Sequence, residues 1–263
     1  MSTLGLAEPE AAWEACRTGA WDRPTAGICK EYVQANLVVL PYADAFDFLR
    51  FCGRNPKPCP LLEATDPGDP EPRLTAAGAD LRTDLPLYRV YRGGDLVEER
   101  REIVGLWRDD FVAFLIGCSF SFEHALISAG VPLRHIEEGT NVPMYRTNVA
   151  CTPAGEFSGP LVVSMRPIPA GLVPLATTVT ARVPQVHGAP VHVGSPEDLG
   201  IEDLDTPDYG EPVEVREGEL PVFWACGVTP QAVALEAAPE IMITHSPGHM
   251  FITSMANEEL LAR

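Results

Sequence analysis

Apolar positions in this chain come in short unbroken runs. Phe111-Val112-Ala113-Phe114-Leu115-Ile116 stops at Gly117-Cys118-Ser119, Pro221-Val222-Phe223-Trp224-Ala225 stops at Cys226-Gly227-Val228-Thr229, and Ile241-Met242-Ile243-Thr244 stops at His245-Ser246-Pro247-Gly248-His249. Runs of this length bounded by Gly and Pro read as strands buried on both faces, the habit of a parallel sheet. Ligands of such sheets sit beyond the carboxyl ends of the strands. The pattern therefore predicts an α/β fold: a mixed, largely parallel sheet with helices on its faces, plus a smaller α+β domain. If the three runs are parallel neighbours, Cys118, Ser119, Thr229, His245 and His249 share one crevice.

Helical stripes are expected over Pro9–Arg17 and Tyr42–Arg54. Residues 87–91 and 96–99 flank Arg92-Gly93-Gly94-Asp95, a hairpin signal that predicts an antiparallel edge. Ser119 or Ser121 is placed to cap a helix ending near residue 129, and Thr229 to cap one whose first residue is Pro230. Residues 140–148 follow neither period and read as a loop. From residue 161 to 219 the texture changes to Pro, Gly and short β-type runs. The expected organisation is a main α/β domain at residues 1–155 and 220–263, with a smaller α+β domain inserted at 156–219.

Composition narrows the partners. The 263 residues carry a formal net charge of -18, which argues against nucleic acid and anionic membranes. Between Ser195 and Glu219 there are ten acidic residues against Arg216 alone, a solvated surface segment punctuated by Pro196, Pro207 and Pro212 and without calcium-loop spacing. Only Lys30 and Lys57 among the 19 basic residues are lysines. Lys57 lies in Asn55-Pro56-Lys57-Pro58, an expected exposed turn, so a Schiff-base lysine is not expected. The 7 cysteines have no CxxC spacing, which fits a reducing cytosol better than disulfides or a zinc ribbon. Residues 1–10 hold no basic region of a signal or transit peptide, and no apolar stretch approaches the ~20 residues of a membrane span.

Candidate chemistry lies in the loops. Asn141, Tyr145, Arg146 and Asn148 offer bidentate recognition of a carboxylate through Arg146, with Arg166 at the end of another apolar run as a second clamp. A structural loop using Asn for its turns would look similar. The helix start at Gly227-Val228-Thr229 presents free amides and a positive dipole end to an anion, or is an ordinary βα turn; no GxGxxG or Walker lysine accompanies it. Histidines pair in loops, His187 with His192 and His245 with His249, without HExxH spacing. General acid or base work, a hydrogen bond to their own turn, and a mononuclear metal site are the readings open to them. Cys118 and Cys226 sit at strand ends where a helix dipole would favour a thiolate, against the commoner packed thiol. Cys118, followed by Ser119, Ser121 and Glu123, is the candidate nucleophile.

Several segments, taken in order along nearly the whole chain, resemble the hydro-lyase family that includes the D-glutamate cyclase domain. They are Tyr32-Val33-Gln34-Ala35-Asn36-Leu37, Gly117-Cys118-Ser119-Phe120-Ser121-Phe122-Glu123, Asn141-Val142-Pro143-Met144-Tyr145-Arg146-Thr147-Asn148, Met165-Arg166-Pro167, Pro184-Gln185-Val186-His187-Gly188-Ala189-Pro190, Phe223-Trp224-Ala225-Cys226-Gly227-Val228-Thr229-Pro230-Gln231 and Ile243-Thr244-His245-Ser246-Pro247-Gly248-His249-Met250. Together they are specific; singly they are weak. Cys29-Lys30-Glu31 departs from the Pro-Gly type of turn expected before Tyr32. The resemblance implies an α/β fold with an additional small domain and a carbon-oxygen lyase of amino-acid metabolism that interconverts D-glutamate and 5-oxo-D-proline, and it carries over no established catalytic assignment; the expected cytoplasmic location comes from the cysteine usage.

Set against that reaction, Arg146 and Arg166 would hold the carboxylates and His245 or His187 would move protons. Amides at 118–121 or 227–229 would stabilise the oxyanion, and no cofactor or metal is required. The expected partner is a small carboxylate or amino acid, with self-association left open. Two other classes stay open: a small-carboxylate binding module without turnover, and a metal-dependent hydrolase using the loop histidines.

Overall fold

The computed structural model describes residues 6–260, so the outermost residues of the expected main domain lie outside the described residues. In chain order the elements are α1 (Pro9–Arg17), β1 (Tyr32–Pro41), α2 (Tyr42–Arg54), β2 (Leu61–Ala64), β3 (Tyr88–Arg92), β4 (Asp95–Arg100), β5 (Phe111–Gly117), α3 (Phe120–Ser128), α4 (Arg134–Glu138), β6 (Met144–Ala150), β7 (Pro160–Pro169), α5 (Val173–Ala181), β8 (His192–Val193), β9 (Glu219–Ala225), α6 (Val228–Ala237), β10 (Met242–His245) and β11 (Phe251–Ala256). Strands divide between two sheets. The first has the order β2-β5-β1-β10-β3-β4, with β11 also paired to β1, and the second has the order β6-β7-β9-β8.

Every pairing between these strands is antiparallel, which corrects the expected largely parallel sheet. The apolar runs misled because burial on both faces, not strand direction, is what they encode. Ala113 and Leu115 of β5 enter one core with Leu37, Val39 and Trp13, while Phe114 and Ile116 enter another with Val38, Phe48 of α2 and Val233 of α6. The α/β class stands, built on antiparallel sheets.

The hairpin β3–β4 forms as its turn predicts and lies at the sheet edge. The boundary expected at residues 155 and 156 falls between β6 and β7, which are paired in one sheet. Residues 140–148 are not all loop, since β6 begins at Met144. The turn before β1 keeps its left-handed residue, with Cys29 at φ 45.

Helices α3 and α6 lie between the sheets. Phe122 and Leu126 of α3 pack with Val33 of β1 and with Ile168 and Trp224 of the second sheet. On α6, Val233 and Ala234 join the first sheet's core while Ala232 packs on Val162 of β7. The opposite face of the second sheet carries Tyr145, Val163, Met165 and Phe223, covered by Leu199, Ile201 and Val213. The acidic segment is thus a lid on this face, with apolar residues inward and its carboxylates outward.

Candidate active site

Antiparallel topology still brings the three strand ends together. Both β5 and β10 run against β1, one on each side, so their carboxyl ends emerge toward the same end of it: Gly117 pairs with Ala35, and Thr244 with Val38. Between them stands Asn36, 4% exposed, whose Nδ2 donates to the carbonyls of Ile116 and Gly117 at 3.2 Å each. The third junction arrives from the second sheet. Gly227, just before α6, lies so close to Asn36 that an added Cβ would collide with its amide. Gly117 is equally constrained, its Cα lying against the Gln185 carbonyl.

Two helix starts therefore face this junction, α3 after β5 and α6 after β9. Ser119 occupies the N-cap position of α3 as expected, but its hydroxyl does not cap the helix, and Thr229 does not occupy that position in α6. The hydroxyl of Ser119 accepts from Arg166 Nη2 at 3.2 Å, and that of Ser121 accepts from the Gln34 amide at 3.2 Å. Thr229 is the second residue of α6, not its cap; its Oγ1 accepts from Val162 N at 3.0 Å and donates to Val162 O at 3.2 Å, stitching the helix to β7.

Arg166 is the centre of the charge. It is 0% exposed, on the face of β7 that looks toward α3, with its guanidinium carbon 5.0 Å from the Phe122 ring centre and 5.5 Å from that of Trp224. Its Nε and Nη2 donate to Glu123 Oε1, Nη1 donates to Ser164 Oγ at 3.0 Å, and one Nη1 proton remains unassigned. His135 Nε2 adds a further contact to Glu123 Oε1 at 3.1 Å. Burial would raise the Glu123 carboxyl, but Arg166 and His135 together hold it below the usual glutamate value. Among the described residues no donor reaches Glu123 Oε2.

His187 closes the group from the turn after α5. Its Nδ1 donates to the Lys57 carbonyl at 2.9 Å, which leaves Nε2 as the lone-pair nitrogen, and that atom is buried without a partner. The residue also holds φ 81, a left-handed conformation costly for a non-glycine and a common mark of functional sites. Burial, helped by the Arg166 charge, pushes its pKa down to about 4, so the ring is neutral at pH 7.

His245 has a more local task. Where β10 leaves β1 and β11 takes over, the Leu37 amide would lose its ladder partner; His245 Nδ1 accepts from it at 3.1 Å, and Gln231 of α6 approaches the same atom at 2.9 Å. Burial lowers this histidine to about 4 as well.

Both thiols depart from the dipole-activated reading. Burial pushes Cys118 up to about 12 and Cys226 to about 11, outweighing the helix-start amides that favour the thiolate. Cys118 is a protonated, packed thiol at neutral pH.

The remaining expected ligand residues lie elsewhere. Arg146 shares the face of Arg166, yet it sits opposite Val162, four positions along β7, or about 13 Å away. Its guanidinium is paired with Glu236. The Tyr145 hydroxyl donates to Leu204 O at 2.7 Å and the Asn141 amide to Glu211 at 3.0 Å, while Asn148 lies against Gly200. These contacts bind the 141–148 segment to the acidic lid. His249, half-buried, has Nδ1 on the Pro247 carbonyl at 2.9 Å, and His192 has Nε2 on the Ser195 carbonyl at 2.8 Å. Among the described residues no three His, Cys, Asp or Glu side chains converge as metal ligands. No helix among them is long and apolar enough to cross a membrane.

Sequence reasoning passed over Asn36, His135, Ser164 and Gln231. Asn36 carried a signal, a polar residue inside an otherwise apolar strand; His135 carried none, because only the fold sets α4 against α3.

Residues 112–254 match the D-glutamate cyclase family. A protein of Stutzerimonas stutzeri is 64% identical over 96% of this chain and 95% of its own. One from Geobacillus kaustophilus is 62% identical over 93% of each chain, and one from Rubrobacter xylanophilus is 61% identical over 98% of this chain and 99% of its own. All three bear the name "Putative hydro-lyase".

Proposed function

The chain belongs to the D-glutamate cyclase family, and from that premise we propose that it is a cofactor-independent hydro-lyase that closes D-glutamate to 5-oxo-D-proline with loss of water. The observation that carries this reading is the pairing of Arg166, fully buried with an unassigned N–H, with His187, a neutral buried imidazole whose Nε2 lone pair has no partner.

Arg166 and Ser164 orient one substrate carboxylate. His187 Nε2 takes a proton from the substrate ammonium, freeing the amine to attack the side-chain carboxyl carbon. A C–N bond forms as the carboxyl C=O opens to a tetrahedral oxyanion, which the backbone amides of Ser119, Phe120, Gly227 and Val228, the ones at the two helix starts not bonded to backbone carbonyls among the described residues, stabilise. The imidazolium returns its proton to the departing oxygen, and with a second proton from nitrogen the oxygen leaves as water. Glu123 keeps Arg166 in place and presents Oε2 as a second proton acceptor. Ser119 steadies the Arg166 guanidinium in this scheme, Cys118 packs beside it, and His245, Gly227 and Thr229 hold the surrounding strands and α6 together. Arg146, Asn141, Tyr145, Asn148 and His249 stand outside it.

The test is to incubate the purified protein with D-glutamate, and separately with 5-oxo-D-proline, and to follow both by chromatography. Interconversion in wild type that drops at least 100-fold in His187→Ala is the expected result, the range typical of a general base. Ligand-induced stabilisation with no interconversion would instead identify a carboxylate-binding module.

A further inference from the structure

With Arg146 spent on Glu236, Arg166 stands without the second cation that a two-carboxylate ligand needs. Lys57 is the candidate to supply it: its backbone carbonyl holds His187, and its positive charge acts on that ring together with the charge of Arg166. The turn that carries it is fixed at both ends. Asn55, buried, donates its amide to the carbonyls of Phe51 and Thr152 at 2.9 and 2.8 Å, and the Pro60 carbonyl accepts from Gly117 N at 2.9 Å, at the end of β5. Pro56 and Pro58 restrict the backbone on either side of the lysine. In the middle, the Lys57 carbonyl receives Nδ1 of His187, whose opposite edge is the unpartnered Nε2.

The side chain itself is unusual for so acidic a molecule. Lys57 is half-buried, yet among the described residues no carboxylate of the 37 acidic residues lies within 4.0 Å of its ammonium. A partly desolvated cation with no counter-charge is costly unless a ligand supplies one. Burial accordingly pulls the Lys57 ammonium below the usual lysine range.

We propose that Lys57 is the second anion anchor of the Arg166 site, so that the site selects small molecules carrying two carboxylates. This rests on the reading that the ligand occupies the Arg166–His187 junction, but it does not rest on turnover. The experiment is calorimetric binding to full-length wild type, Lys57→Met and Lys57→Arg. The ligands are D-glutamate and glutarate, each with two carboxylates, and D-2-aminobutanoate and 4-aminobutanoate, each with one.

Lys57→Met is expected to weaken both dicarboxylates about tenfold or more, the worth of one charge-assisted hydrogen bond, while at least one monocarboxylate is unaffected. Lys57→Arg should recover part of the loss. Equal weakening of all four ligands, no weakening of any, or a wild type that binds neither dicarboxylate would overturn the assignment. A wild type that binds both dicarboxylates through Lys57 but forms no 5-oxo-D-proline removes the cyclase reading and leaves the anchor standing. Cyclisation with an unchanged KM in Lys57→Met does the reverse.

Discussion

Arg166 and Glu123 have no water to fall back on, so each depends on the other. Removing one partner of a buried pair strands the other charge, at a cost of about 3–5 kcal/mol, whereas replacing both by apolar residues of similar volume is often neutral. Arg166→Met should therefore lower unfolding stability in urea by about that amount, and Arg166→Met with Glu123→Leu should recover most of it. Both variants should be inactive on D-glutamate. A double variant no more stable than the single one would mean that the pair is not the unit it looks to be. Among single residues, Arg166 was legible as a guanidinium ending an apolar run, His187 as one of a pair of loop histidines, and Glu123 as a carboxylate five residues beyond Cys118. Cys118 was legible as a position but not as a chemistry: its helix start favours the thiolate, and burial, invisible to a linear reading, wins.

At the scale of elements, most strands and the two amino-terminal helices follow the hydrophobic pattern, and α3 starts after Ser119 as expected, while α6 does not start where its cap residue predicts. Thr229 has the residue type of a cap, but Val162 offers its hydroxyl a buried donor and acceptor, and the helix begins at Val228, two residues before the expected Pro230. β6 was missed because its outer half, Thr147 to Ala150, is largely exposed and holds no apolar alternation. The close approach of α6 to β1 makes Gly227 a test of the junction. Gly227→Ala should destabilise by about 1–3 kcal/mol through collision with Asn36. Asn36→Ala opens that space, so the double variant should lose less than the sum of the two single losses. Additive losses in urea denaturation would place the strain elsewhere.

For the whole molecule, charge and buried histidine pull stability in opposite directions as pH falls. The net charge of -18 repels itself at neutral pH and fades toward the sequence pI of about 4.6, which by itself would make the fold more stable on acidification. His187 and His245 oppose this. Each has a folded pKa near 4 against 6.5 in the unfolded chain, so between those values the unfolded state binds more protons. Their contribution is complete above pH 6.5 and is lost as pH falls toward 4, about 3 kcal/mol for each ring. Two such losses rival the whole stability of a typical domain, roughly 5–15 kcal/mol, so the histidines should win. Glu123, held below 4.5, adds its own loss only as pH falls below about 4.5. The urea midpoint should fall from pH 7 to pH 4.5 despite the approach to the isoelectric point, and His187→Gln with His245→Gln should flatten or reverse that slope. Raising NaCl at pH 7.5, which shortens the screening length from ~10 Å at 0.1 M to ~3 Å at 1 M, should raise the midpoint of both proteins alike. A wild-type midpoint that climbs steadily down to pH 4.6 would mean that the two rings are not buried neutral, and the acceptor assigned to His187 Nε2 would go with them.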